Sequence, residues 1–226
     1  MWSQFWPQFW PLWSDVAVPA FATLFVIIDP LGLVPIFMAL TANMDAKTRR
    51  ATAWRATIFA FAVLLVFALA GQAVLKFLGI SIAAFQIAGG LLLFLTALEM
   101  LFEKRADRRQ KNVDQSSIEN QSADDPPDDQ WVFPLGTPLI AGPGAIASII
   151  LLMNSGTQGI AGQAVVIGVL FGVIVMTLIL FLIAGRLGRF VGPTASRAMS
   201  RVLGMILAAL AVQFVLTGLS SAGFGG

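Results

Sequence analysis

The chain has 226 residues, 58% of them hydrophobic and 12% charged, with a net charge of +2 and a mean hydropathy of +0.84. This is the composition of an integral membrane protein, long enough for one compact bundle. Cysteine and histidine are both absent, which excludes disulfides, thiolate nucleophiles and Cys-based metal sites, along with His-dependent metal, haem and general-base chemistry.

The first fifteen residues form an aromatic segment with Trp2, Trp6, Trp10, Trp13, Phe5 and Phe9, and no Lys or Arg. It lacks the basic start of a signal peptide and reads as an interfacial belt at one membrane surface. Six apolar segments follow, over about 16–41, 52–75, 80–102, 132–153, 163–185 and 198–219. Each is near the ~20 residues that cross ~30 Å of hydrocarbon. Between the third and fourth lies a polar linker, 103–130. It carries five Lys and Arg residues and then Asp124, Asp125, Asp128 and Asp129 around two prolines. Such a composition predicts a disordered or mobile connection. The organisation expected is a first three-helix unit over 16–102, a second over 131–219, and a flexible tail over 220–226.

Loop charge sets the expected orientation. With six crossings, Lys76 is alone on the side of both termini, and the other thirteen basic residues share the opposite side: Lys47, Arg49, Arg50, Arg55, five in the linker, Arg186, Arg189, Arg197 and Arg201. The positive-inside rule then predicts both termini periplasmic and the linker cytoplasmic in a bacterial inner membrane. The basic residues sit in membrane-flanking loops, so they imply no nucleic-acid partner.

The most unusual stretch is Phe25–Phe37 in the first segment. Asp29 lies near the centre of the apolar run, followed by Pro30, Gly32 and Pro35. A carboxylate at mid-depth is expensive. The prolines remove backbone donors, and the glycine weakens the helix between them. A spanning helix broken there exposes backbone polar groups, which membranes tolerate only against protein or a water-filled cavity.

The fourth segment has its own break at Gly142-Pro143-Gly144, followed by Ala145. Pro30 and Pro143 are 113 residues apart, and the same offset relates Lys76 to Arg189 and Gly79 to Gly192. Gly90 and Gly204 correspond after a shift of one. Three crossings per unit make the second unit inverted relative to the first. Paired interrupted segments in inverted repeats point to a transporter site at mid-membrane. The predicted fold is thus all-α, six transmembrane helices as two inverted three-helix repeats, with segments one and four broken.

Asp29 suits an N-cap and Pro30 the first position of a half-helix restarting at mid-depth. Gly142-Pro143-Gly144 opens its half-helix without an acid, so its free N–H groups would attract an anionic group. Asp29 would favour a cation. If the breaks meet, the pocket fits a zwitterion such as a small amino acid. The candidate substrate-binding residues are Asp29, Pro30, Gly32, Pro35, Thr41, Gly142, Pro143, Gly144 and Ala145, with Thr41 and its neighbour Asn43 ending segment one. Glu99 reads as snorkelling beside Lys104. Gln86, Thr96, Asn154 and Gln213 read as interhelical hydrogen-bonding residues, and the GxxxG of Gly168 and Gly172 as bundle packing. Small-residue faces on segments five and six would permit a homodimer.

Phe25–Phe37, with Asp29-Pro-Leu-Gly and Pro35-Ile-Phe, then Leu40-Thr41 and a basic loop, resembles the hallmark of the MarC family of bacterial inner-membrane proteins. Ala88–Phe94 with Glu99-Met-Leu101 is similar to that family's third segment, and Pro134–Ile146 to its fourth. The resemblance covers nearly everything except the N-terminal aromatics, the linker and the tail. It implies a six-helix protein of the LysE-type transporter superfamily with periplasmic termini. Relatives are associated with solute translocation, some with small neutral amino acids, and the family name suggests multiple antibiotic resistance. Many relatives carry Asn where this chain has Leu33.

The leading expectation is an inner-membrane transporter of a small neutral amino acid or similar solute, working by alternating access. A proton or sodium ion would couple through Asp29, and no cofactor is expected. A metal-ion carrier is weaker because one carboxylate is too few for an oxygen cage; a drug efflux carrier is a further alternative. An enzyme lacks the usual nucleophile–base pair or acid dyad. A non-transporting scaffold or sensor would gain nothing from broken helices.

Overall fold

A computed structural model describes residues 12–42, 44–102, 140–154, 159–187 and 193–224, without the side chains of Leu12, 185–187 and 193–197. The linker, Asn43 and the N-terminal aromatics before Leu12 lie outside the described residues. Everything regular in the described residues is helical. A π-helical turn, Leu12–Ala17, leads into α1 (Val18–Ile28), and α2 (Pro30–Leu40) follows after a single residue. Then come α3 (Ala46–Phe77), α4 (Ile82–Leu101), α5 (Pro143–Asn154), α6 (Gly159–Leu187) and α7 (Pro193–Ser221).

Five stretches are long and apolar enough to cross a membrane, counting Trp13–Leu40 as one, and α5 is a shorter apolar helix. Helices α3, α6 and α7 outrun the hydrophobic segments that predict them. Helix α3 starts at Ala46 and not near 52, with the Asp45 carboxylate accepting from the N–H groups of Lys47 (3.2 Å) and Thr48 (3.3 Å). Its end is closed by Gly79 at φ 71°, with Ile80 N–H donating to Leu75 O at 2.9 Å. This left-handed turn favours glycine. Ser81 then caps α4 by accepting from Ala84 N–H at 3.1 Å.

The broken first span occupies the centre: 61% of its most apolar window is buried, against 28–39% for the other four. Helix α1 packs against α5, α6 and α7, while α2 packs chiefly on α6. Helix α5 is buried nearly all round and lies between α3 and α4. A helix apolar on every face belongs in the interior of a bundle, and the two interrupted segments hold that place.

The most extensive contact is between α4 and α7, which run antiparallel. Small residues repeat every seven positions on both, Ala83, Gly90 and Ala97 facing Gly218, Ala211 and Gly204. A Cβ on Gly90 would stand 2.8 Å from Ala211 O, one on Gly218 3.0 Å from Ala83 O, and one on Gly204 3.2 Å from Ala97 O. Backbone thus meets backbone at three levels, the membrane form of close helix packing. The small-residue face of the last helix is therefore taken up inside the chain. The GxxxG on α6 departs from its expected packing role: a Cβ on Gly168 or Gly172 would meet nothing within 4 Å.

Candidate functional site

Asp29 is one residue doing the work of two helix ends. Its N–H donates to Phe25 O at 2.9 Å and completes α1, while its carbonyl accepts from Leu33 N–H at 3.1 Å and begins α2. To turn the chain it adopts φ 54°, ψ 62°, and among the described residues it is the one non-glycine with positive φ. Aspartate enters this left-handed region more readily than most residues, at a cost of about 1–2 kcal/mol. The compensation is local. Asp29 Oδ1 accepts from Gly32 N–H at 3.0 Å, which caps α2 and sets the carboxylate against that helix's positive end. Pro30 at the first helical position has no N–H to leave unsatisfied. Gly32 is required for space, since a Cβ there would run into the Asp29 carboxylate. Asp29 is 3% exposed.

The second break is built from backbone. Ile146 N–H donates to Gly142 O at 3.0 Å, so α5 begins at Pro143 without an acidic side chain in its first turn. The next two N–H groups, those of Gly144 and Ala145, precede the first intrahelical bond. Pro143 is exposed and Gly144 half-buried, whereas Ala141 and Ala145 are buried.

The two breaks approach each other. A Cβ on Gly144 would lie 3.6 Å from Ile27 Cγ2, two residues before Asp29, 3.6 Å from Leu93 Cδ2 and 3.9 Å from Thr96 Oγ1. The second break, at Gly142, Pro143, Gly144 and Ala145, thus lies against the end of α1 and against α4, with Asp29, Pro30 and Gly32 following directly in the chain from that end of α1. Thr41 does not reach the breaks. Pro35 is exposed on α2, and Thr41 stands about 18 Å along the helix from Asp29. Thr41 is fully buried, its hydroxyl donating to Phe37 O at 2.7 Å.

Three features of this region had no clear signal in the chain. Arg49 Nη2 donates to Thr41 O at 3.0 Å and Met44 O at 3.4 Å, which places a cation at the C-terminal end of α2. Fully buried Phe37 stacks on Phe181 of α6, centroids 4.3 Å apart and 5° from parallel, between Asp29 and the Arg49 end of α2. A cavity of about 510 Å³ lies between α3, α4 and α5, and both Ala141 and Pro143 line it. Phenylalanines occur on almost every segment, so apolar periodicity does not single out those that pair or face a cavity.

The remaining polar side chains differ from their expected interhelical roles. Thr96 Oγ1 donates to Leu92 O (3.0 Å), Asn154 Nδ2 to Ile150 O (2.7 Å), and Gln213 Nε2 reaches Thr217 Oγ1 at 3.5 Å, all within their own helices. Short polar side chains on a helix satisfy themselves on the preceding turn when the neighbouring helix offers carbon only. Buried Gln86 Oε1 has no protein partner. Glu99 is half-buried at the basic end of α4, and Lys104, its expected neighbour, is outside the described residues.

The MarC family model, described as MarC family integral membrane protein, matches residues 15–222. Among curated relatives, a UPF0056 membrane protein of Methanocaldococcus jannaschii is 36% identical over 203 residues, covering 90% of this chain and 95% of the relative. The UPF0056 membrane protein YvbG of Bacillus subtilis is 34% identical over 202 residues, covering 89% and 93%. The UPF0056 inner membrane protein YhgN of Escherichia coli is 32% identical over 202 residues, covering 89% and 95%. No solved structure matches. From the aspartate-broken first span to the last helix, this chain is a multi-pass membrane protein and belongs to the MarC family.

Proposed function

We propose that the protein is a solute transporter moving a small neutral amino acid, or a solute of similar size, by alternating access. The observation that carries this reading is the meeting of two helix starts in the middle of the bundle. Gly144 lies against Ile27 at the end of α1, next to the buried Asp29. One start presents a carboxylate, the other the first N–H groups of a helix with no acid in its first turn, and a zwitterion has one charged group for each.

The half-helices run to opposite ends of the bundle, α2 toward Arg49 and α5 away from it, as inverted three-helix repeats would require. The described basic residues support an orientation with the α2 C-terminus cytoplasmic: Lys47, Arg49, Arg50, Arg55 and Arg201 gather at that end and Lys76 stands at the other. Both termini are then periplasmic. The bacterial relative YhgN carries the name inner membrane protein, and the same membrane is proposed here. On this reading the Phe37–Phe181 stack is the cytoplasmic gate. Opening that stack, with Asp29 carrying a proton or sodium ion, completes the cycle.

The test is counterflow uptake of labelled amino acids into proteoliposomes, wild type beside Asp29→Asn. Saturable uptake that the variant loses, while still folding, is the expected outcome. Full uptake by Asp29→Asn would remove the carboxylate from the mechanism. No uptake by folded wild type, under either ion gradient, would favour a scaffold or sensor.

A further inference from the structure

Basic residues gather at the start of α3. This helix packs on α5 and α6, buries Ala53, Ala56, Ala60 and Leu64, and leaves its opposite face outward. The outward face keeps a fixed order. Lys47 and Arg50 come first, both exposed, then Trp54 at 52% and Ile58 at 58% exposed, then Ala62 and Leu69. Steps of three, four and four residues from Lys47 to Ile58 hold one side of a helix, with Trp54 about 10 Å along from Lys47. Residues 45–55 carry four cations and one acid, and the carboxylate of that acid, Asp45, is turned onto the start of the helix. Arg49 turns inward to Thr41 O, so Lys47 and Arg50 are the pair that shares the face of Trp54.

We infer that this face holds an anionic phospholipid, its phosphate diester between Lys47 and Arg50, its glycerol region at the Trp54 indole and its acyl chains along Ile58, Ala62 and Leu69. Cation, indole and hydrocarbon follow one another along α3 in the order in which a phospholipid presents headgroup, interface and chain. Side chains three apart on a helix stand about 5–6 Å apart at Cβ, close enough for an ammonium and a guanidinium to share one phosphate. The apolar part of the stripe would suit any lipid. The two cations select the anionic ones, because a zwitterionic headgroup brings a cation of its own against them. In the orientation proposed above the site lies in the cytoplasmic leaflet, where anionic headgroups attract cations beside a membrane helix. The chemistry of the site depends neither on that orientation nor on transport.

Native mass spectrometry of the full chain in detergent, titrated with phosphatidylglycerol or phosphatidylcholine, reads the apparent Kd of the first lipid bound. Phosphatidylglycerol should bind wild type at least about tenfold more tightly than phosphatidylcholine, since each cation near an anionic headgroup contributes about fivefold. Lys47→Gln with Arg50→Gln should raise the phosphatidylglycerol Kd about tenfold or more and leave phosphatidylcholine within about twofold. Lys47→Arg with Arg50→Lys keeps both charges and should bind as wild type does. Lys47→Gln alone should cost about fivefold, whereas Lys76→Gln, which removes one charge at the opposite end of α3, should leave the Kd unchanged. All three positions are exposed, so the variants should melt as wild type does. Equal affinity for the two lipids overturns the inference. So does equal weakening by Lys47→Gln and Lys76→Gln, which would mean attraction by net charge with no site on α3.

Discussion

The two helix starts at the centre of this bundle solve one problem in opposite ways. At Asp29 a single residue in a left-handed conformation turns the chain, and its own carboxylate satisfies the new helix. At Gly142-Pro143-Gly144 the new helix has no acid in its first turn, and the turn adjoins a cavity. The far ends differ in the same sense. Helix α2 ends under the guanidinium of Arg49, whereas α5 ends under neutral amides, Asn154 Nδ2 on Ile150 O and Gln163 Nε2 on Met153 O at 3.4 Å. One half-helix is matched to its dipole by charges at both ends; the other has no acid in its first turn and only neutral amides at its far end.

The largest effect should come from removing the side chain that seals the first break. Asp29→Ala loses the cap and puts a residue with no polar side chain into the left-handed turn, a combined loss of about 2–3 kcal/mol. Asp29→Asn keeps an acceptor oxygen and the tolerance for that turn. Thermal unfolding in detergent should place Asn close to wild type and Ala well below; equal melting of the two would show that the cap does not hold the break.

One substitution at both breaks should act with opposite sign. Gly32→Ala drives a methyl into the Asp29 carboxylate and should cost about 1–3 kcal/mol. Gly144→Ala meets only ordinary contacts at 3.6 Å and beyond and should be neutral, or stabilising by up to about 1 kcal/mol through better helix propensity. Matching losses at the two sites would mean that the second turn is as tightly built as the first.

At the far ends, Arg49→Ala should lower stability by about 1 kcal/mol through the unmatched C-terminus of α2. Gln163→Ala should cost nearer 0.5 kcal/mol, the low end for a neutral hydrogen bond. Adding salt should narrow that difference, because only the Arg49 contribution is a full charge. If salt has no effect on the difference, the Arg49 contacts act as neutral bonds.

The smallest effect is a pH dependence outside the bilayer. The hydrogen bond from Thr48, with backbone donation from Lys47 and Thr48, holds the Asp45 carboxyl below its ordinary value of 3.8. A carboxyl lowered on folding adds stability at neutral pH and loses it as the pH falls below that ordinary value toward its lowered one. Asp45→Asn should flatten the acid limb of the melting curve slightly; an unchanged limb would assign it to other carboxylates.

Much of this was legible in the chain. Composition and run length determined that the protein lies in a membrane, because only continuous apolar helices satisfy their backbone there. The positions of Asp29, Pro30, Gly32 and Pro143 determined where the helices break, since proline and a buried acid act on the backbone within one turn of themselves. The seven-residue spacing of Ala83, Gly90 and Ala97 was equally local, yet its partner was not. Gly204, Ala211 and Gly218 form a similar row, and small residues on α6 form another; only packing decided that α7 meets α4 while Gly168 and Gly172 face open space. Tertiary structure likewise decided that Thr41 stands far from the break, that Phe37 stacks on Phe181, and that a cavity reaches Pro143. Breaks and caps arise between residues a few positions apart, where sequence acts directly. Cavities and seams arise between helices distant in the chain, where one apolar side chain looks like another until a neighbour is placed against it.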